Sequence, residues 1–237
     1  KNIEFPITRF HLRKEQIQEI GKRLPELERA GLLDQTEFSE LVGLKLFADG
    51  SFGTHTAKMK EKYHDHVHGN EGGRGIFFDT IDKMNKAMKV AREHGIKTIA
   101  THAIGDEGIQ RAIEVARRWI DMGEKNEFEP TFRIEHFELP LPVDQTLKDI
   151  KELGIWVVPQ PNFLLDYVYK DRLGDRTRWI CPHQEIVKAE IPMMFGTDGM
   201  PDSMLYAIYL ATQAEEPRQR LSFLQALLAS TITAAHF

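Results

Sequence analysis

The 237-residue chain has a single cysteine, Cys181, so no internal disulfide can form and a small disulfide-stapled secreted scaffold is excluded. Such cysteine usage suits a reducing compartment, and the expected location is cytoplasmic. A basic block is missing too: 31 Lys and Arg stand against 36 Asp and Glu, a formal charge of −5. That balance offers no electrostatic footprint for nucleic acid or an anionic membrane surface, and neither is expected as a partner. Nowhere do roughly 18 apolar residues run together, as a membrane-spanning helix requires. The opening Lys1-Asn2-Ile3-Glu4 does not read as a signal peptide. Phosphate-binding fingerprints are also lacking. Gly72-Gly73-Arg74-Gly75 fits neither GxGxxG nor GxxxxGK[ST], follows no strand pattern, and reads as a loop. Without a Gly-x-Ser-x-Gly elbow, an open-sheet serine hydrolase is the weakest reading.

What the chain does have is an alternation of short apolar, β-branched runs with amphipathic stretches, the pattern of one continuous α/β array. Six candidate strands are Ile3–Leu12, Leu41–Ala48, Ile96–Ala103, Thr131–Phe137, Ile155–Gln160 and Ile191–Thr197. Between them, apolar residues at three and four spacing predict helices over Asp79–His94, closed by Gly95, over Asp106–Met122, closed by Gly123, and over Asp144–Leu153, closed by Gly154. Further helices are expected at about His183–Ala189, Ser203–Ala214 and Leu221–Ala235. Units of roughly 30 residues describe either a barrel of βα repeats or an open doubly wound sheet, and periodicity does not separate them.

Chemistry-bearing residues gather at the predicted strand ends: Lys45 in Leu41–Gly50, His102 closing Ile99–His102, His136 closing Arg133–His136, and Asp198 after Met194–Thr197. They fall one or two βα repeats apart, and in a parallel barrel such ends converge on one rim. Two imidazoles, a carboxylate and an amine that CO2 can convert to a carbamate suit Zn²⁺ or another divalent ion. A metal there would serve hydrolysis of an unactivated amide, with Asp198 placed to take a proton from water and return it to the leaving nitrogen. Each residue also has a plainer reading: a hydrogen-bonded structural histidine, a turn aspartate, a lysine paired with Asp49 or Glu135. The string Asp65-His66-Val67-His68 has His-x-His spacing, but charged residues precede it and glycines follow. It therefore reads as part of a loop or lid over about residues 50–78. Asp49, Ser51, His55, Gln160, Tyr167, Met200 and Asp202 follow strand ends and are candidate pocket residues. Phe163, Tyr167 and Tyr169 would suit an apolar group on the substrate.

The segments Val42-Gly-Leu-Lys-Leu-Phe-Ala-Asp-Gly-Ser-Phe-Gly-Thr-His-Thr-Ala57, Thr101-His-Ala-Ile-Gly-Asp106, Arg133-Ile-Glu-His-Phe137, Val158-Pro-Gln-Pro161 and Gly196-Thr-Asp-Gly199 resemble, in sequence and order, the amidohydrolase superfamily. Within it they are most similar to the family 3, or YtcJ-like, branch. The resemblance implies a (β/α)8 TIM barrel with one or two divalent ions, zinc or a relative, at its carboxyl rim, acting on amide or other C–N bonds of small molecules. It also implies that Lys45 is a carboxylated ligand, that His102 and His136 are ligands, and that Asp198 is both ligand and general base. The family's first strand ends in Asp-x-His-x-His; no such strand precedes Lys45, and Asp65–His68 follows it, out of order. Counting Leu41–Ala48 as the fourth barrel strand, residues 1–237 are expected to be the C-terminal two-thirds of a barrel, with about six of eight strands. An open parallel edge would favour a homo-oligomer. The alternative expectation is a non-catalytic barrel fragment acting as a binding or regulatory module, inactive for want of the His-x-His pair.

Overall fold

The computed structural model describes residues 8–13, 39–65, 73–93, 95–126, 129–165, 168–199 and 201–237. Five strands form one sheet: β1 (Thr8–Arg13), β2 (Ser39–Phe47), β3 (Thr98–Ala103), β4 (Thr131–His136) and β5 (Trp156–Val158). Their spatial order is their chain order and every pairing is parallel. A doubly wound sheet reverses direction at a switch point. Here each strand is added on the same side of the last, as in the wall of a (β/α)8 TIM barrel, which settles the choice that periodicity left open.

The connecting helices follow from their patterns. In α1 (Ile81–Glu93), Met84, Met88 and Ala91 are buried on one face, and Thr80 Oγ1 accepts from the Lys83 N–H at the start. Gly95, at φ 75, lets the chain turn back as its N–H donates to Arg92 O. α2 (Asp106–Asn126) buries Ile109, Ala112, Val115, Ala116 and Trp119. α3 (Val143–Glu152) buries Leu147 and Ile150. These side chains form one core with Leu44, Leu46, Ile99, Phe132, Ile134 and Val157 from one face of the sheet. The opposite face carries Lys45, Phe47, His102, Arg133 and Glu135, all partly accessible. One face is thus shielded by helices, and the other presents the chemistry-bearing residues.

Beyond β5 the chain passes through a 3₁₀ turn (Pro161–Leu165), α4 (Val168–Leu173), a second 3₁₀ turn (Gly174–Trp179), α5 (His183–Lys188), α6 (Met204–Gln213), α7 (Phe223–Ser230) and α8 (Ile232–His236). Three expectations change here. Residues 191–197 do not form a regular strand: the segment runs parallel to β5 through one Val157–Met193 bridge and the Met194 and Gly196 N–H groups, while Pro192 has no N–H to give a ladder. The helix expected over Leu221–Ala235 is two helices, broken at Thr231 (φ −134), where Ser230 and Thr231 hydroxyls bond back to Ala226 and Leu227 carbonyls. The helix expected to stop at Gly123 continues through it to Asn126. Among the described residues no helix is long and apolar enough to cross a membrane.

Candidate functional site

A second apolar cluster caps the carboxyl ends of β2, β3 and β4: Phe52, Met59, Tyr63, Ile104, Leu139, Tyr169, Ile180 and Cys181. Beneath it, Asp49 ties two strand ends together. Its carboxylate is fully buried and receives N–H bonds from Ile104 (3.0 Å), Gly105 (2.9 Å) and Lys58 (2.8 Å). Burial raises its pKa to about 7, against the pull of those N–H groups and of the His136 charge. Asp49 was expected to line the pocket. The structure turns both its oxygens onto the backbone, so its work is to hold the loop after β2 against the loop after β3.

His102 projects from β3 on the accessible face of the sheet. Its Nε2–H donates to the Gly50 carbonyl at 2.9 Å, leaving Nδ1 with the lone pair, and its ring lies 5.4 Å from that of Phe47. Burial, with the charges of His136 and Lys45, lowers its pKa to about 3. The ring is therefore a neutral imidazole over the whole physiological range, the form a metal requires. His136 ends β4, where alternation would turn it away from His102. Left-handed backbone at His136 (φ 73) and Phe137 (φ 50) brings the two imidazoles together, edge to face, with centroids 4.3 Å apart. His136 Nδ1 is buried without a hydrogen bond and faces Glu138 Oε1 at 3.5 Å. Lys45 shares the face of His102, with Nζ 5.6 Å from the Phe47 ring centre. Its charge helps to hold Glu135 below the ordinary carboxylate range, against burial.

The remaining expected residues are distributed around this pair. Asp198 stands exposed in a turn at φ 51, next to Thr197, whose carbonyl accepts from Asn162. Gln160 is buried, its amide N–H donating to Val158 O and its Oε1 without a partner. Ser51 Oγ lies 2.9 Å from Thr54 Oγ1 inside the loop after β2. His55 Nε2 lies 2.9 Å from Asp65 Oδ1, and Asp65 also pairs with Arg172. The first residue of the His-x-His string is thus an anchor between the loop and α4. His66, Val67, His68, Tyr167 and Met200 lie outside the described residues. Among the described residues, no three His, Cys, Asp or Glu side chains gather closely enough to hold an ion. The donor chemistry still fits a divalent metal, because two imidazoles meet here and one of them is held neutral with a free lone pair. Glu138 is a site residue that the strand-end pattern does not single out; its signal in the sequence is an acidic residue inside the apolar run Phe137–Leu141.

The chain is similar to several known proteins. A crystal structure of an uncharacterized metal-dependent hydrolase from Pyrococcus furiosus superposes with a TM-score of 0.78 at 26% identity, covering 99% of this chain and 46% of that one. Protein LONG AFTER FAR-RED 3 of Arabidopsis thaliana is 25% identical over 224 residues, 89% of this chain and 36% of that protein. YtcJ of Bacillus subtilis is 31% identical over 81 residues, 34% of this chain and 14% of that protein. The chain therefore spans less than half the length of each of these relatives. The family model described as amidohydrolase family matches residues 7–237, and the chain belongs to the amidohydrolase family.

Proposed function

We propose that this chain supplies the metal-binding side of a hydrolase that cleaves amide or other C–N bonds in small molecules. The observation that carries the reading is the pair of imidazoles, His102 and His136, brought to 4.3 Å at the carboxyl end of a parallel barrel wall. His102 and His136 would hold the ion, Zn²⁺ or another divalent metal, singly or as a pair, with Lys45 in carboxylated form and Asp198 completing the set. The chemistry such an ion supplies is Lewis-acid polarisation of a carbonyl and acidification of water.

The chain's own residues prepare that chemistry. The Gly50 carbonyl fixes the His102 ring and its tautomer. Asp49 locks the loop that carries Gly50 to the loop that opens α2. Asp198 stands in an exposed turn, from which its carboxylate would take a proton from the attacking water and pass it to the leaving nitrogen. The substrate is an amide-type small molecule, the setting is cytoplasmic, and association with a second copy belongs to the same proposal. A second reading, a non-catalytic binding or regulatory module, draws support from the lack of a third ligand beside the two imidazoles among the described residues.

The deciding experiment is elemental analysis of the full chain purified without chelator, with Lys45→Ala, His102→Ala and Asp198→Ala alongside, followed by an amide panel. Near-stoichiometric zinc or a related metal, lost from the variants and accompanied by amide cleavage, is the expected result. A wild-type chain without metal overturns the hydrolase reading for this chain and favours the module.

A further inference from the structure

Glu138 is a buried acid, 2% exposed, in the stretch that leaves β4. Its backbone is held on both sides: the Glu138 carbonyl accepts from Cys181 N–H at 2.7 Å, and the next residue, Leu139, donates to Ile104 O at 3.0 Å. A carboxylate so placed is costly unless polar groups meet it. Two do. Tyr169 of α4 donates its hydroxyl to Oε2 at 2.8 Å, and Oε1 faces His136 Nδ1 at 3.5 Å. Tyr169 is itself buried, with Phe52 packed edge-on at 5.6 Å, so the hydroxyl is aimed by the apolar cluster over the strand ends. His136 Nδ1 is a buried nitrogen with no hydrogen bond.

We propose that Glu138 is a positioning residue for His136: its Oε1 takes the Nδ1–H, so that Nε2 carries the lone pair, while Tyr169 holds the other carboxylate oxygen. The pair of rings is then complementary, because the Gly50 carbonyl takes Nε2–H of His102 and leaves Nδ1 with the lone pair there. One imidazole is oriented by a backbone carbonyl and the other by a buried carboxylate, and through Tyr169 the second depends on how α4 packs. A carboxylate behind a ligating histidine fixes its tautomer and raises its basicity. This inference rests on the metal-centre reading for its consequence, but not for its geometry.

The test uses the full chain, metal-free, with ¹⁵N-labelled histidine and long-range NMR correlations of the His136 ring, assigned by loss in His136→Asn. Wild type is expected in the Nδ1–H form. Glu138→Leu shifts the ring to a mixture, Tyr169→Phe shifts it part of the way, and Glu138→Gln, which keeps an acceptor oxygen, restores it. Cobalt titration of the same proteins is expected to weaken roughly 10- to 100-fold in Glu138→Leu and to recover in Glu138→Gln. A His136 tautomer unmoved in both Glu138→Leu and Tyr169→Phe overturns the inference, whatever happens to stability. If Glu138→Leu does not fold, the Tyr169→Phe ring decides alone. A wild-type chain that takes up no cobalt overturns the hydrolase reading instead, so the two failures are distinct.

Discussion

His102 and His136 meet at 4.3 Å although sheet alternation assigns them to opposite faces: His102 lies opposite Glu135 in the ladder, and His136 lies opposite Ala103. The reversal takes place in two left-handed residues at the end of β4. If the rings share one ion, their contributions to metal binding are not independent. The expected outcome of a double-mutant cycle is that His102→Ala and His136→Ala each abolish tight cobalt binding, with the double variant no weaker than the poorer single one. Additive losses in a calorimetric titration would mean two separate sites.

Asp49 satisfies three backbone donors from inside the fold. Leaving a buried donor unpaired costs about 1–3 kcal/mol, so Asp49→Ala should destabilise the chain by about 3 kcal/mol or more. Asp49→Asn should cost a substantial part of that, because its amide group would turn a donor toward donors. Urea unfolding at pH 8, where the native carboxyl is ionised, measures both.

Gly105 sits where no other side chain fits. A Cβ there would lie 2.1 Å from the Lys58 carbonyl oxygen, a backbone atom held by the Glu107 and Gly108 N–H groups. Gly105→Ala is therefore expected to push the loop after β2 away from α2 at a cost of about 1–3 kcal/mol. It should also lower cobalt affinity through the displaced Gly50 carbonyl. Melting temperature and titration together report the two effects.

His183 is fully buried, donates Nδ1–H to the Gln219 carbonyl at 3.0 Å, and has its pKa lowered by burial to about 4. The unfolded chain protonates this residue near 6.5, and the native chain does so only near 4. Stability from this group is therefore complete above about pH 6.5 and is lost as pH falls toward 4. His183→Asn keeps a donor for Gln219 and cannot ionise. Relative to wild type it should gain on the order of 3 kcal/mol between pH 7 and pH 4, from 1.36 kcal/mol per pH unit. Parallel urea midpoints across that range would refute this.

Much of this architecture is written in local pattern. The helices over 81–93 and 143–152 and most of that over 106–126 follow from apolar spacing; β3, β4 and β5 fall inside the runs that predict them, and β1 and β2 overrun theirs by one or two residues. The rest depends on single atoms: neither Pro192 nor Pro159 has an N–H to extend the ladder between residues 191–197 and β5, and the last helix breaks at Thr231, where the Ser230 and Thr231 hydroxyls bond back to the preceding turn. The site is legible in residue type and much less so in direction. His102 points as alternation says. His136 points where it does because non-glycine residues adopt left-handed backbone, which sequence does not announce. Asp49 looks like a pocket aspartate in sequence, and its role appears only with the loops that surround it.

The sheet order also has a meaning for synthesis. Because β1 to β5 lie side by side in the order in which they are made, each new strand finds its template in the strand completed just before it. Among these five strands, pairing does not wait for a segment translated later, and from β2 to β4 each closure is made across one helix. These five strands can be added in turn during elongation, each newly made strand serving as the template for the next.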